Sequence, residues 1–255
     1  MGRLAQTLGL TAHIFYLRAM KYDNPAARLL AFLLIGKSKP TNVQCRGVWE
    51  EILDAQGNQP LLMARLGKVM ELPSLIIEAV QQAYPEEGNT WSHWESQVNA
   101  GFMVQNLHAG WETFISNIDD HSITYLRMTS NLLALKSNTR LIAAESLSTI
   151  RGDLQRIHEE LLDSDQPEEI KRYLSRNIRR LIVSIDEYRL TGALPLLDAI
   201  DATVGHALLE KDYKTFLTDT ELGKRLLDTL SSMANVVTVA VGIPQLTATI
   251  ALLAR

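Results

Sequence analysis

From Thr229 to Ala254 the chain carries no charged side chain, and this run limits what the rest can be. Its length matches the ~20 apolar residues that cross a bilayer as a helix, and Lys224, Arg225 and Arg255 flank it with cations. Against a simple span stand Asn235, Gln245, four threonines and the break Gly242-Ile243-Pro244, because each polar group costs free energy in hydrocarbon. Other readings remain open. The break can fold the run into two short helices buried in a bundle core or an oligomer, or the run can make a peripheral contact. Its β-branched residues can also pair as a hairpin, Asn235–Val241 against Leu246–Leu253, turning at Gly242 to Gln245. In every case the run has to be covered. The expected membrane or partner contacts are Val236, Val237, Val239, Val241, Leu246, Ile250, Leu252 and Leu253.

The remainder reads as an ordinary globular chain. Its 255 residues suffice for one large core or two small ones. With 46% hydrophobic and 21% charged residues it can offset its ordering entropy. A net charge of −4 argues against general nucleic-acid binding. The lone Cys45 excludes an internal disulfide and a zinc knuckle and suits a reducing compartment. The first residues lack the pattern of a secretory signal. Gln6 stands where myristoylation after Met1-Gly2 wants Ser or Thr. The expected location is therefore the cytoplasm, with membrane association open to the uncharged run.

Prolines, glycines and helical spacing divide the chain. Leu4–Ala19 reads as a helix. Asn24-Pro25 reads as an N-cap with proline in the first turn, launching Ala26–Ile35. After the loop 36–42, Val43–Ala55 is a short helix ended by Gly57-Asn58. Leu61–Tyr84 keeps helical spacing, but Pro73 predicts two helices meeting at Leu72-Pro73-Ser74. That outline resembles a helix-turn-helix, yet Leu75–Tyr84 has no Arg or Lys to read DNA and carries Glu78. Packing explains it better. Residues 84–90 form the clearest linker, with Thr90 as a cap for a long aromatic helix reaching Ile118. Further helices are expected from Asp119-Asp120 to Ser137-Asn138, over Thr139–Leu162 and over Glu168–Tyr188 after Pro167. The last of them closes at Thr191-Gly192, and Pro195–Leu209 and Thr218–Leu230 complete the set. The prediction is an all-α multi-helix bundle: a smaller N-terminal helical unit over 1–85, a long-helix bundle over 90–230, and the hydrophobic segment 231–255.

Four places could carry chemistry. His108 and Glu112, four apart on the expected aromatic helix, could share a face toward a metal, although two ligands make no site. Asp119-Asp120-His121 could hold a divalent ion or act as a base, but acids at a helix start also serve capping and the dipole. Asp186 and Glu187, facing Asp198, Asp201 and His206 from a neighbouring helix, would resemble the carboxylates of a bundle metal site. They lack its Glu-x-x-His pairs and could instead pair with Arg180, Arg189 or Lys211. Arg172, Arg176, Arg179 and Arg180 recur at three- and four-residue steps as a cationic stripe. Such a stripe could meet acidic lipid, a nucleic-acid backbone or an acidic partner, or simply be solvated and pair with Glu168 and Glu169.

No catalytic constellation and no cofactor motif stands out, so none is expected. The sequence favours a non-enzymatic interaction protein that self-associates or engages a protein partner or membrane through its C-terminal segment and basic helix. A soluble helical body with a hydrophobic end is similar in layout, and in layout alone, to small bacterial membrane-disrupting effectors. An acid–base or metal enzyme built on the carboxylate cluster, and nucleic-acid binding through helix 168–188, are the alternatives.

Overall fold

The computed structural model describes residues 20–86, 88–137 and 139–241, by backbone alone at 206–209 and 211–212. The chain is all-α, and it divides between Ser137 and Asn138 into two compact units. The expected break at residues 84–90 lies inside the first of them. The N-terminal helix expected over Leu4–Ala19 lies outside the described residues, as do Leu246, Ile250, Leu252 and Leu253.

The first unit is built around α1 (Pro25–Lys37). Asn24 caps it by accepting a hydrogen bond from the Ala27 amide at 2.9 Å, and Pro25 fills the first turn, where a missing N–H costs nothing. The helix is buried nearly all round, through Ala26, Leu29, Phe32 and Leu33 among others, as a helix at the centre of a core must be. Against it pack α2 (Cys45–Ile52), α3 (Gln59–Ala83), the one-turn α5 (Glu112–Ile115) and α6 (Asp120–Lys136), while α4 (Ser92–Val104) packs on α3, α5 and α6.

Pro73 does not split α3, contrary to the expectation of two helices, so the helix-turn-helix outline disappears. An interior proline costs ~3 kcal/mol. The buried stripe Leu62, Leu66, Val69, Leu72, Ile76 and Val80 runs through it. Six such side chains at ~1.5 kcal/mol or more each outweigh that cost.

The aromatic helix expected over Thr90–Ile118 is also corrected. It stops at Val104, and residues 105–111 form a loop. The reason lies in α2, whose first amides have no partner within their own helix. The loop supplies partners for the first two: Cys45 and Arg46 donate to the carbonyls of Ala109 and Leu107 at 2.9 and 3.0 Å, and the Trp111 amide returns a bond to Val43 at 2.7 Å. Trp49 stacks with Phe102 and meets Trp111 and Phe114 edge-on, with ring centroids 5.0–6.3 Å apart. A continuous helix would forfeit both the amide bonds and this cluster. Thr90 is not the cap, since α4 begins after Trp91 without a side-chain cap.

The second unit contains α7 (Ala144–Asp163), α8 (Glu168–Asp186), the single turn α9 (Tyr188–Thr191), α10 (Leu194–Leu209), α11 (Lys211–Asp219) and α12 (Glu221–Val241). Gly192, at φ +78°, closes α9 in the left-handed region that glycine adopts most readily. Antiparallel α7 and α8 bury Leu147, Ile150, Leu154, Ile157 and Leu161 against Leu174, Ile178, Leu181 and Ile185. In place of one helix over Thr218–Leu230 there are two, meeting at Thr220. Its hydroxyl donates to the Phe216 carbonyl at 2.8 Å and accepts from the Gly223 amide at 2.9 Å.

That corner decides the first half of the uncharged run. Residues 229–241 are helical, which excludes the hairpin strand expected over Asn235–Val241. Leu226, Leu230, Met233, Val237 and Ala240 return every three or four residues and are buried, so helical periodicity overrides β-branched propensity. Among the described residues no helix is long and apolar enough to cross a membrane.

Candidate functional site

The stripe on α8 places four exposed cations on one helix of the second unit. The buried Leu174, Ile178, Leu181 and Ile185 fix the rotation of the helix, and the opposite side then carries Arg172, Arg176, Arg179 and Arg180, all solvent-exposed. The pairing expected with Glu168 and Glu169 is not formed. No described carboxylate reaches any of the four guanidiniums, although Arg176 lies 5.5 Å from the centroid of the Tyr173 ring. Other arginines of the unit are paired: Arg151 with Asp186, Arg156 with Asp153, and Arg225 with Glu160. Val183, half exposed, continues the same face one turn beyond Arg179.

A polar seam runs along one edge of this face, between α7 and α8. At one end Arg151 grips Asp186 through both carboxylate oxygens, at 2.5 and 3.2 Å. Further along, His158 Nε2 lies 2.6 Å from Ser175 Oγ. At the other end Lys171 donates to the Leu162 carbonyl at 3.2 Å. The imidazole of His158 is held below the usual histidine range, first by partial burial and then by the charge of Arg179, with Glu159 opposing. The sequence reading missed this seam. Its signal was the recurrence of Arg172, Ser175 and Arg179 on one side of α8, visible only once the partner helix supplies His158.

The carboxylate cluster has a different setting. Asp186 is taken by Arg151 rather than by Arg180 or Arg189, the side chain of Lys211 lies outside the described residues, and Glu187 is buried beside Asp186 in the chain. Asp198 and Asp201 are exposed on α10. The Asp201 carboxyl is pushed above its ordinary range by loss of hydration and then by Asp198 one turn away. The two stand three residues apart in that helix and so share a face. The side chain of His206 lies outside the described residues. Among the described residues no three His, Cys, Asp or Glu side chains gather closely enough to hold a metal ion.

In the first unit, His108 and Glu112 stand on a loop and on the start of α5, not on one helix face. Asp119 caps α6 by accepting from the Ser122 amide at 2.7 Å, and this bond holds its carboxyl down at about 2. It also lies 2.9 Å from His93 Nε2, while Asp120 pairs with Lys37 at 3.1 Å. The rings of His93 and His121 meet edge to face at 6.3 Å, and both touch Tyr125. Capping and pairing therefore account for both acids.

Of the expected tail contacts, Val237 is buried, Val236 and Val241 are partly exposed, and Val239 is 66% exposed. The chain matches no protein-family model, no curated protein and no solved structure.

Proposed function

We propose that this protein is a non-enzymatic interaction protein that docks on an acidic membrane surface through the arginine face of α8. The observation that carries this reading is four exposed guanidiniums on one helix with no carboxylate partner among the described residues, in a chain whose net charge is −4. Leaving such charges unpaired in an acidic protein costs self-attraction that nearby glutamates could have supplied. A partner surface bearing negative charge recovers it. A lipid surface suits the stripe better than a nucleic acid does, because residues 242–254 are uncharged and would add an apolar contact to a cationic one. Two weak signals of these kinds together make stable peripheral attachment. The apolar side of α8 is committed to the core, so the helix would lie on the headgroups without entering them.

Each arginine near an acidic leaflet contributes ~1 kcal/mol, so four supply roughly a thousandfold in partitioning. The test is co-sedimentation with phosphatidylcholine vesicles containing rising fractions of phosphatidylglycerol. The full chain is expected to bind as the acidic fraction rises, and R172Q/R176Q/R179Q/R180Q is expected to stay in the supernatant. Equal sedimentation of the two proteins, or tight binding to duplex DNA without vesicle binding, defeats the reading.

A further inference from the structure

We propose that Arg179, His158 and Ser175, with Arg172 at the rim, form a seat for a phosphate monoester at the α7–α8 seam. The inference deepens the docking reading by naming the headgroup chemistry that the arginine face would select, and it rests on that reading for its membrane context. Residues 172, 175 and 179 step along α8 by three and four, so they project from one side of the helix. Arg172 and Arg179 are seven residues apart, about 10 Å along the axis, which leaves room for one phosphate between their flexible side chains. Between them Ser175, only 8% exposed, touches the His158 imidazole of the facing helix at 2.6 Å. A buried hydroxyl and a ring would thus form the floor, and two guanidiniums that meet no described carboxylate would form the walls.

Among the described residues no carboxylate pairs with Arg172 or Arg179. Glu159, on the same helix as His158, and Arg179, across the seam, are the charged groups that act on the imidazole. Arg151 is neutralised by Asp186 at the far end of the seam. Arg225, from α12 on the other side of α7, is tied to Glu160. A phosphate monoester carries close to two negative charges at neutral pH and three acceptor oxygens, so it would balance Arg172 and Arg179. The Arg179 fork can hold two of those oxygens together.

The third oxygen falls to Ser175, and the histidine decides whether the hydroxyl can reach it. With neutral His158, Nε2 can accept the Ser175 hydrogen, which is then unavailable. Once His158 is protonated, Nε2–H donates to Ser175 Oγ, and the hydroxyl hydrogen turns toward the phosphate oxygen. The proton stays on the imidazole and no bond is made or broken. Phosphate binding and proton uptake at His158 are therefore linked, each favouring the other by the same factor. A monoanionic phosphodiester has less charge to offer both arginines and gains less from this exchange.

The shared chemistry, a phosphate monoester, could come from free phosphate or from a lipid headgroup, and two arms separate them. In the first, the ring signals of His158 in the full chain, assigned by their absence in H158Q, are followed against inorganic phosphate at constant ionic strength. The expected result is a saturable change and a His158 pKa raised by about one unit, a tenfold gain in proton affinity. The response should be lost in R179Q and S175A. In the second arm, binding is compared on phosphatidylcholine vesicles carrying phosphatidic acid or phosphatidylglycerol at equal surface charge. The native chain is expected to prefer phosphatidic acid several-fold, and R179Q to lose the preference. A silent His158 together with equal binding to both vesicles overturns the seat and leaves the docking reading standing. A His158 response with no vesicle binding overturns the docking reading and leaves the seat, with free phosphate as its ligand. A silent His158 and no vesicle binding overturns both.

Discussion

Gly223 is where the course of the second unit can be tested by one methyl group. It stands in the first turn of α12, and a Cβ built on it would lie 2.0 Å from the Phe216 carbonyl oxygen and 2.7 Å from Leu217 Cα. Both obstacles are backbone, so no side chain can rotate away. The α11–α12 corner itself would have to open, loosening the 2.9 Å bond from the Gly223 amide to Thr220. Overpacking of this kind costs up to ~3 kcal/mol, and weakening the cap adds ~1 kcal/mol. Alanine's better helix propensity returns about 1 kcal/mol, leaving G223A destabilised by about 3 kcal/mol. Gly152 is the control. It sits inside α7 with nothing within 4 Å of an added Cβ, so G152A should stabilise by about 1 kcal/mol. Urea denaturation of both variants, followed by circular dichroism, reads the difference directly. If G223A were as stable as G152A, the helical course of the uncharged run through that corner would be wrong.

Two further outcomes follow from the first unit. Asp119→Ala removes the α6 cap and should cost about 1 kcal/mol at neutral pH. Because the folded pKa of Asp119 is depressed to about 2, its contribution is present above the unfolded value near 4 and is lost as pH falls toward 2. The native protein and D119A should accordingly converge in stability across that window, as acid titrations of denaturation midpoints would show. Cys45 is fully buried and its thiol is pushed up to about 11, chiefly by that burial. It should resist aromatic disulfide reagents at pH 8 until urea unfolds the unit, and prompt labelling of the native protein would contradict its placement.

What the sequence conveyed depended on how local the cause was. Asn24-Pro25 and Asp119 were legible as helix starts because a cap is decided within four residues. The four arginines of α8 were legible as a stripe because the apolar side of the same helix sets its rotation. Pro73 misled because its local preference was outweighed by a buried stripe running from Leu62 to Val80 along a 25-residue helix. The stretch 105–111 kept an apolar rhythm like that of a helix, but its backbone was drawn off to satisfy amides of α2 some 60 positions earlier. Val236 to Val241 looked suited to a strand by composition, yet the partners that bury Val237 and Ala240 are helices. The seam shows the same limit. Arg151 and Asp186 are 35 residues apart, and His158 and Ser175 are 17 apart, so neither pair exists until α7 and α8 lie antiparallel.

The central claim, that α8 presents its arginines to an acidic lipid surface, is tested most directly by the salt dependence of vesicle partitioning. Screening shortens the reach of charge from ~10 Å at 0.1 M salt to ~3 Å at 1 M. Binding of the full chain to phosphatidylglycerol-containing vesicles should fall steeply over that range. Each single replacement, R172Q, R176Q, R179Q or R180Q, should weaken it about fivefold at low salt and flatten the dependence. Partitioning that is insensitive to salt, or unchanged by all four replacements, would contradict the account.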